Sequence, residues 1–242
     1  MSTRPDYGID APGVIRNLIL SGVAIAIATL IWHTVRIGPV TLALYPGCLY
    51  TAASLITPGI LMLIYAKFGK FRHRDRILSY VPWNGNEQVL DVGSGRGLLL
   101  AGAAKHLTTG HAIGIDVWNA EDLSGNNEQN LLHNLDLEGV RAKAEVQNQD
   151  AQKMNFPDAT FDAIVSNLCL HNIYNKDGRA QACREIARVL KPTGVIVISD
   201  FRHMSEYRDN FKALGLQVEY KPLNWDTFPP LRILVARKTA SA

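Results

Sequence analysis

Apolar residues are distributed differently in the two parts of this chain. From about residue 70 onward they form short runs separated by amphipathic or polar segments, which is typical of strands alternating with helices. The runs are Val89–Val92, Ala112–Ile115, Ala144–Gln147, Ala163–Asn167, Val195–Ser199, Gln217–Tyr220 and Leu231–Lys238. The pattern predicts an α/β domain in which a helix separates neighbouring parallel strands.

The first part of the chain instead carries two long segments without charge. Leu18–Trp32 contains 15 residues, and Ile37–Ala66 contains 30 residues, without Asp, Glu, Lys or Arg. A helix needs about 20 apolar residues to cross the hydrocarbon core of a bilayer. We therefore predict two apolar helical segments, at about 14–36 and 38–66, that anchor the chain in a membrane.

The anchor is expected to occupy residues 1–69 and the α/β domain residues 70–242. Pro39, Pro46 and Pro58 are predicted to bend the second apolar segment. Two alternatives remain open for the apolar segments. They could be core helices of a soluble protein, or a hairpin that enters one leaflet without crossing.

Basic residues predict how the two segments are oriented. Arg4 and Arg16 precede them, Arg36 alone lies between them, and five basic residues follow between Lys67 and Arg76. Because positively charged flanks stay on the cytoplasmic side, we expect an integral membrane protein whose termini and α/β domain are cytoplasmic. The basic cluster could also attract anionic lipid headgroups.

Overall composition limits the chemistry only loosely. The chain has 242 residues and a modest net charge of +3, and no nucleic-acid partner is expected beside a membrane segment. Cys48, Cys169 and Cys183 lack a Cys-x-x-Cys spacing, so they are expected to be reduced thiols without a metal.

The most informative motif follows the first strand of the α/β domain. Residues 89–97, Val-Leu-Asp-Val-Gly-Ser-Gly-Arg-Gly, end a buried strand in an acidic residue and a turn with three glycines. Glycine lets the turn adopt positive φ and lets a ligand approach the backbone. A dinucleotide fingerprint would need its third glycine at position 98, where this chain has Leu98. The motif therefore predicts a nucleotide-like cofactor but argues against a nicotinamide dinucleotide.

The pattern Asp91-x-Gly93-x-Gly95-x-Gly97 resembles the first motif of class I S-adenosylmethionine-dependent methyltransferases. The resemblance covers about residues 70–240 and implies a doubly wound, mostly parallel, seven-stranded Rossmann-like sheet. It also implies S-adenosylmethionine as methyl donor and S-adenosylhomocysteine as product. The cofactor-binding residues it implies are Asp91, Gly93, Ser94, Gly95 and Gly97 at the methionine part, Asp116 at the ribose, Val117 and Trp118 at the adenine, Asp150 and Ala151 at its amino group, and Asn167.

A general base is needed only when the methyl acceptor carries a proton that must leave. His171 follows the fourth strand of the domain, where active sites of the resembled family meet the transferred methyl group, and it is the candidate base. His171 could equally order its loop. Tyr174, His133 and His203 are weaker candidates, and Cys169 lacks the partner spacing of a three-thiolate site.

The sequence leaves three functions open. The first is methyl transfer to a membrane-resident small molecule, such as a quinone precursor, a lipid headgroup or a sterol-like acceptor. The second is methylation of a soluble small molecule, with the anchor serving only for localisation. The third is a membrane-tethered protein that binds S-adenosylmethionine without catalysis.

Overall fold

The computed structural model describes residues 3–238 and contains a seven-stranded sheet with helices on both faces. The sheet strands are β3 (Gln88–Val92), β4 (His111–Asp116), β5 (Ala144–Asn148), β6 (Phe161–Asn167), β7 (Leu190–Asp200), β8 (Leu216–Tyr220) and β9 (Arg232–Lys238). The helices of this domain are α3 (Lys70–Leu78), α4 (Leu98–His106), α5 (Glu128–Leu137), α6 (Lys176–Val189) and α7 (Met204–Ala213). The seven strands predicted from the sequence are all present.

The strands lie in the order β5-β4-β3-β6-β7-β9-β8. All pairs are parallel except those of β9, which runs antiparallel to β7 and β8. Strand β3 is buried along most of its length because it is central in the sheet and covered on both faces. From β3, the chain first adds β4 and β5 on one side of the sheet and then adds β6 and β7 on the other side. The direction in which strands are added therefore reverses next to β3. Ligands of open α/β sheets bind at such a switch point, beyond the carboxyl ends of the strands.

The apolar N-terminal region differs from the prediction in its secondary structure. It contains α1 (Pro12–Ile31), a hairpin of β1 (Thr34–Ile37) and β2 (Val40–Ala43), and α2 (Gly47–Ile64). The predicted helix limits of about 14–36 and 38–66 were therefore wrong. β-Branched residues flank the Gly38-Pro39 turn on both sides, which favours strands over helix. Pro58 lies inside α2, and the helix continues past it.

Helices α1 and α2 pack against each other through glycines. A Cβ atom on Gly22 would lie 2.6 Å from Ile56 Cγ1, and a Cβ atom on Gly59 would lie 2.7 Å from Ile19 Cγ1. Small residues that let helix backbones approach closely are typical of helix pairs in membranes. By length and composition, Pro12–Ile31 and the continuous helix Gly47–Leu78 are able to cross a bilayer. Few of their apolar side chains are buried, and several are exposed, including those of Leu20, Ile27 and Ile64.

Helix α2 continues into the α/β domain without an extended linker. A π-helical turn, Tyr65–Gly69, joins it directly to α3. Helix α3 begins at Lys70 as part of the continuous helix Gly47–Leu78. Helix α3, on the surface of the α/β domain, therefore begins close to the C-terminal end of the apolar helix α2.

The residues before α1 also contact the α/β domain. The backbone N–H of Asp6 donates to Asn134 Oδ1 (3.0 Å), and the Tyr7 hydroxyl donates to Glu138 Oε1 (2.5 Å). The backbone N–H of Ile9 donates to Ser124 Oγ (2.7 Å). We call residues 6–11 the N-terminal strap. We call residues 12–64, which comprise α1, β1, β2 and α2, the apolar hairpin. The strap and the π-helical turn connect its two ends to the α/β domain.

Candidate functional site

A cavity of about 390 Å³ lies beyond the carboxyl ends of β3, β4 and β6. Its volume is in the range of ligand pockets in proteins. The glycine turn after β3 forms its floor, and the ends of β4 and β6 form two of its sides. The sequence-predicted residues that line it are Asp91, Gly93, Ser94, Gly95, Asp116, Val117, Asp150, Ala151 and Asn167.

The three glycines of the turn all have positive φ, between 55° and 84°. A Cβ atom on Gly93 would overlap the Cys169 side chain, so only glycine permits this approach of the two loops. Gly97 is the N-cap of α4 and lies behind the turn, where a Cβ atom would be 3.0 Å from Leu131 Cγ. The glycines therefore give the turn its path and leave its inner surface open to a ligand.

Asp91 lines the cavity with a carboxylate that has no hydrogen-bond partner. Its side chain is 1% exposed, and neither oxygen has a hydrogen-bond partner. Burial raises the pKa of Asp91 to about 8, and the negative charge of Asp116 raises it further in the same direction. A buried carboxylate is costly unless a cation or donor satisfies it. The cavity thus contains a site for a positively charged group.

Asp116 is held rigidly at the end of β4. One of its oxygens accepts a hydrogen bond from the Gly95 N–H and the other from the Trp118 N–H, both at 2.7 Å. Asp150 lies across the cavity, where it accepts hydrogen bonds from the backbone and side chain of Gln152. The two carboxylates and the glycine turn thus surround the same cavity.

Three predicted site residues, Gly97, Trp118 and His171, do not line the cavity. Trp118 packs its indole against the hydrophobic core beside β4, so its predicted contact with adenine does not fit its position. His171 lies behind the loop that follows β6, where its Nδ1 is 2.9 Å from the buried carboxylate of Asp200. Its ring also packs on Phe201 at 4.8 Å. This position fits the ordering of a loop, which was the alternative to a general base.

The other predicted residues of this loop differ in their environments. Asn167 lines the cavity, and its Oδ1 is buried without a partner. Cys169 also lines the cavity, and burial raises the pKa of its thiol well above the usual value, so the thiolate is disfavoured. Tyr174 lies at the rim and is 92% exposed. His133 and His203 do not line the cavity.

One wall of the cavity comes from residues that sequence reasoning did not single out. Tyr7 and Asp10 of the N-terminal strap, Tyr65 of the π-helical turn, and Lys70, Arg74 and Ile77 of α3 line this wall. We call it the junction wall, because it joins the apolar hairpin to the α/β domain. The spacing of Lys70, Arg74 and Ile77 indicates one helix face, but a sequence alone does not say what that face covers.

Residues 90–198 match the family model described as a methyltransferase domain. Two curated relatives are quinone methyltransferases by name. Ubiquinone/menaquinone biosynthesis C-methyltransferase UbiE from Vibrio campbellii is 32% identical over 116 residues, which are 48% of this chain and 41% of the relative. Demethylmenaquinone methyltransferase from Tropheryma whipplei is 34% identical over 132 residues, which are 54% and 48%. The chain thus spans less than half the length of these relatives.

A solved structure supports the same fold. An S-adenosylmethionine-dependent methyltransferase from Aquifex aeolicus superposes with a TM-score of 0.51 at 18% identity, covering 69% of this chain and 96% of the other. The matched family model spans the glycine turn, the end of β4 and the loop after β6 that surround the cavity. The region that surrounds the cavity is therefore similar to a methyltransferase domain, and the fold of the chain agrees with this similarity.

Proposed function

We propose that this protein is a membrane-anchored enzyme that transfers a methyl group from S-adenosylmethionine to a lipophilic quinone precursor. The observation that carries the proposal is the construction of the cavity. Its floor is the glycine turn of a methyltransferase domain, and its junction wall continues directly into an exposed apolar helix. An acceptor whose tail lies in the bilayer would reach this cavity with its head group.

In the proposed site, the predicted cofactor residues that line the cavity would each contact one part of the cofactor. The unpartnered Asp91 carboxylate would hold the ammonium of the methionine part, and the open inner surface of the glycine turn would accept its chain. Asp116 would accept the ribose hydroxyls, Val117 would pack on the adenine, and Asp150 with the Ala151 backbone would bind its amino group. When bound, the cofactor supplies an electrophilic methyl group on a sulfonium.

The exposed residues of the helices support membrane insertion. An apolar patch of this length on a soluble monomer would be unusual. Helix α1 has 20 residues, so its length of about 30 Å matches the hydrocarbon core. Trp32, Tyr45 and Tyr50 are all exposed near the hairpin end, where aromatic residues favour the membrane interface. Trp225, 79% exposed, lies in a loop beside the π-helical turn, at the other end.

The names of the two curated relatives support a quinone precursor rather than a lipid headgroup or sterol as the acceptor. Carbon methylation of such a ring proceeds most easily from the reduced hydroquinone, because its ionised hydroxyl makes the neighbouring ring carbon nucleophilic. The domain would mainly align this carbon with the methyl group and exclude water.

The function is tested with the full chain in native membrane extract. Methyl-labelled S-adenosylmethionine is added under reducing conditions, and mass spectrometry identifies every labelled product. We expect label in a lipid-soluble quinone, and about 10- to 100-fold less at limiting cofactor when Asp91→Asn protein replaces the wild type. Label only in water-soluble products would refute the lipophilic acceptor, and cofactor binding without any product would favour a binding protein.

Membrane insertion is tested separately. Membranes that contain the full chain are washed with alkaline carbonate, which releases peripheral proteins but not spanning ones. We expect the chain to stay in the pellet, with the hairpin between α1 and α2 open to protease only from the side opposite the methyltransferase domain. Release into the supernatant would refute the anchor.

A further inference from the structure

We propose that Tyr65 and Asp10, in the junction wall, form the subsite that binds and deprotonates a hydroxyl group on the acceptor ring. The inference rests on the proposed function and names the residues that would contact the acceptor. It assigns a base in place of His171, which does not line the cavity. Tyr65 would donate a hydrogen bond to the ring oxygen, and the Asp10 carboxylate would take its proton.

Tyr65 carries an unused donor into the cavity wall. Its side chain is 5% exposed, and its hydroxyl is buried without a hydrogen-bond partner. The Asn167 side chain lies in the same cavity, close enough to interact with the Tyr65 hydroxyl, and its Oδ1 is also buried without a hydrogen-bond partner of its own. Leaving a buried polar group unsatisfied costs about 1–3 kcal/mol, so such groups are usually satisfied by a ligand, water or another residue. Two of them at one cavity indicate a polar ligand group there.

The π-helical turn is what brings Tyr65 to this wall. In an α-helix, residues five apart point about 140° away from each other, so Tyr65 and Lys70 would face different sides. The π-helical turn, in which the Lys70 N–H donates to the Tyr65 carbonyl, returns both to the cavity face. Gly69 makes room for the Tyr65 ring, since a Cβ atom there would lie 2.7 Å from Tyr65 Cδ2. Single π-helical turns of this kind are frequent at functional sites.

Asp10 is held at the same wall by the N-terminal strap. The strap forms an antiparallel bridge between Asp10 and Leu123, and the Ala11 N–H donates to the Asp122 carbonyl (2.9 Å). Lys70 also fixes the strap, because its Nζ donates to the carbonyl oxygens of Tyr7 (2.8 Å) and Gly8 (2.6 Å). Burial raises the pKa of the Asp10 carboxyl, against the opposing effect of the Lys70 charge. A carboxylate with a raised pKa is a better proton acceptor than an exposed one.

The proposed step balances as follows. The hydroxyl proton moves to the Asp10 carboxylate, and the ring carbon next to the ionised oxygen attacks the methyl carbon. The new carbon–carbon bond forms as the sulfur–methyl bond breaks, and the electron pair of that bond stays on sulfur. The ring carbon then loses its own proton to solvent, which restores the aromatic ring. The acceptor enters as a hydroquinone, so no oxidant or reductant takes part.

The test compares four variants of the full chain in detergent micelles. Asp10→Asn and Tyr65→Phe change the proposed subsite. Asp209→Asn and Tyr50→Phe are controls, because Asp209 in α7 has a 63% exposed side chain and does not line the cavity, and Tyr50 in α2 is 80% exposed. Each variant is assayed on a hydroquinone and on an acidic phenol that is already ionised at the assay pH. Binding of S-adenosylhomocysteine and of the acceptor is measured by calorimetry.

Asp10→Asn is expected to lower kcat about 100-fold on the hydroquinone but only a few-fold on the ionised phenol, since a base contributes about 10²–10⁴-fold. Tyr65→Phe is expected to weaken acceptor binding about 2- to 10-fold, the equivalent of one hydrogen bond. Both variants should bind S-adenosylhomocysteine as the wild type does, and both controls should stay within about threefold of it.

The outcomes separate the inference from the proposed function. If Asp10→Asn lowers kcat equally on both acceptors, or on neither, then Asp10 is not the base, and the proposed methyl transfer to quinones is unaffected. Unchanged acceptor binding in Tyr65→Phe would overturn its role as donor. Wild-type turnover restricted to acceptors without a hydroxyl group, or no turnover at all, would overturn the proposed function and the inference together.

Discussion

The buried carboxylate of Asp91 should make the stability of the ligand-free protein depend on pH, and Asp91→Asn tests this. An unfolded chain releases the Asp proton near pH 3.9, whereas the folded protein keeps it until the pKa of about 8. Between these values the folded state binds more protons than the unfolded state. The free energy of unfolding must therefore fall as pH rises from about 4 to about 8, and this contribution is constant above that.

The size of the effect follows from the two pKa values. Their difference corresponds to about 6 kcal/mol at about 1.4 kcal/mol per pH unit. This is a large fraction of the stability of a typical domain. A bound ammonium group would favour the ionised carboxylate and remove most of the penalty, so the cofactor should stabilise the protein more at pH 8 than at pH 5.

The assay is thermal denaturation of the full chain in detergent between pH 5 and pH 9, with and without S-adenosylhomocysteine. Ligand-free Asp91→Asn should melt higher than the wild type at pH 8 and depend less on pH, and its affinity for the ligand should fall about 10- to 100-fold, as for a lost hydrogen bond to a charged group. Asp209→Asn, whose side chain is 63% exposed in α7, is the control and should behave as the wild type. The reasoning is refuted if Asp91→Asn keeps the wild-type pH dependence or ligand affinity.

Three further predictions follow from other contacts. Asp116→Ala should weaken S-adenosylhomocysteine binding at least tenfold, because it removes the acceptor that holds the glycine turn; unchanged affinity in calorimetry would contradict this. His171→Ala should lower the free energy of unfolding by about 1–3 kcal/mol, because the buried Asp200 carboxylate loses its contact with the imidazole, and kcat should change less than about fivefold. A 100-fold loss of kcat at an unchanged melting temperature would restore His171 as the base. Gly22→Ala should lower the melting temperature through its clash with α2, whereas Gly13→Ala, with nothing within 4 Å, should not; equal melting temperatures would refute close helix packing.

The sequence predicted the α/β domain closely because its signals are local. Strands β4 and β6 match their predicted runs and extend them by two residues each. The central strands are short buried runs, and the turn between β3 and α4 contains glycines at defined positions. These features depend on the residue and its near neighbours, so a pattern along the chain reveals them.

The junction wall was missed because its contacts join distant parts of the chain. The strap contact between Asp6 and Asn134 spans 128 positions, and no periodicity relates the two residues. The β-branched residues around Gly38-Pro39 were a local signal for the β1–β2 hairpin. The predicted helix relied on the absence of charged residues, which does not distinguish strand from helix. Trp118 and His171 were assigned to a ligand by their position after strands, and the direction of a side chain in a loop is set by packing.

The strap and the π-helical turn attach the methyltransferase domain to the apolar hairpin at two points. A fragment that begins at α3 would retain the glycine turn but lack Tyr7, Asp10 and Tyr65, so one side of the cavity would open to water. Such a soluble fragment would be a poor substitute for the whole chain in substrate screens. Two attachments also restrict rotation of the domain relative to α1 and α2. The proposed membrane anchor would therefore hold the opening of the cavity at one angle to the lipid surface, where the proposed acceptors diffuse in two dimensions.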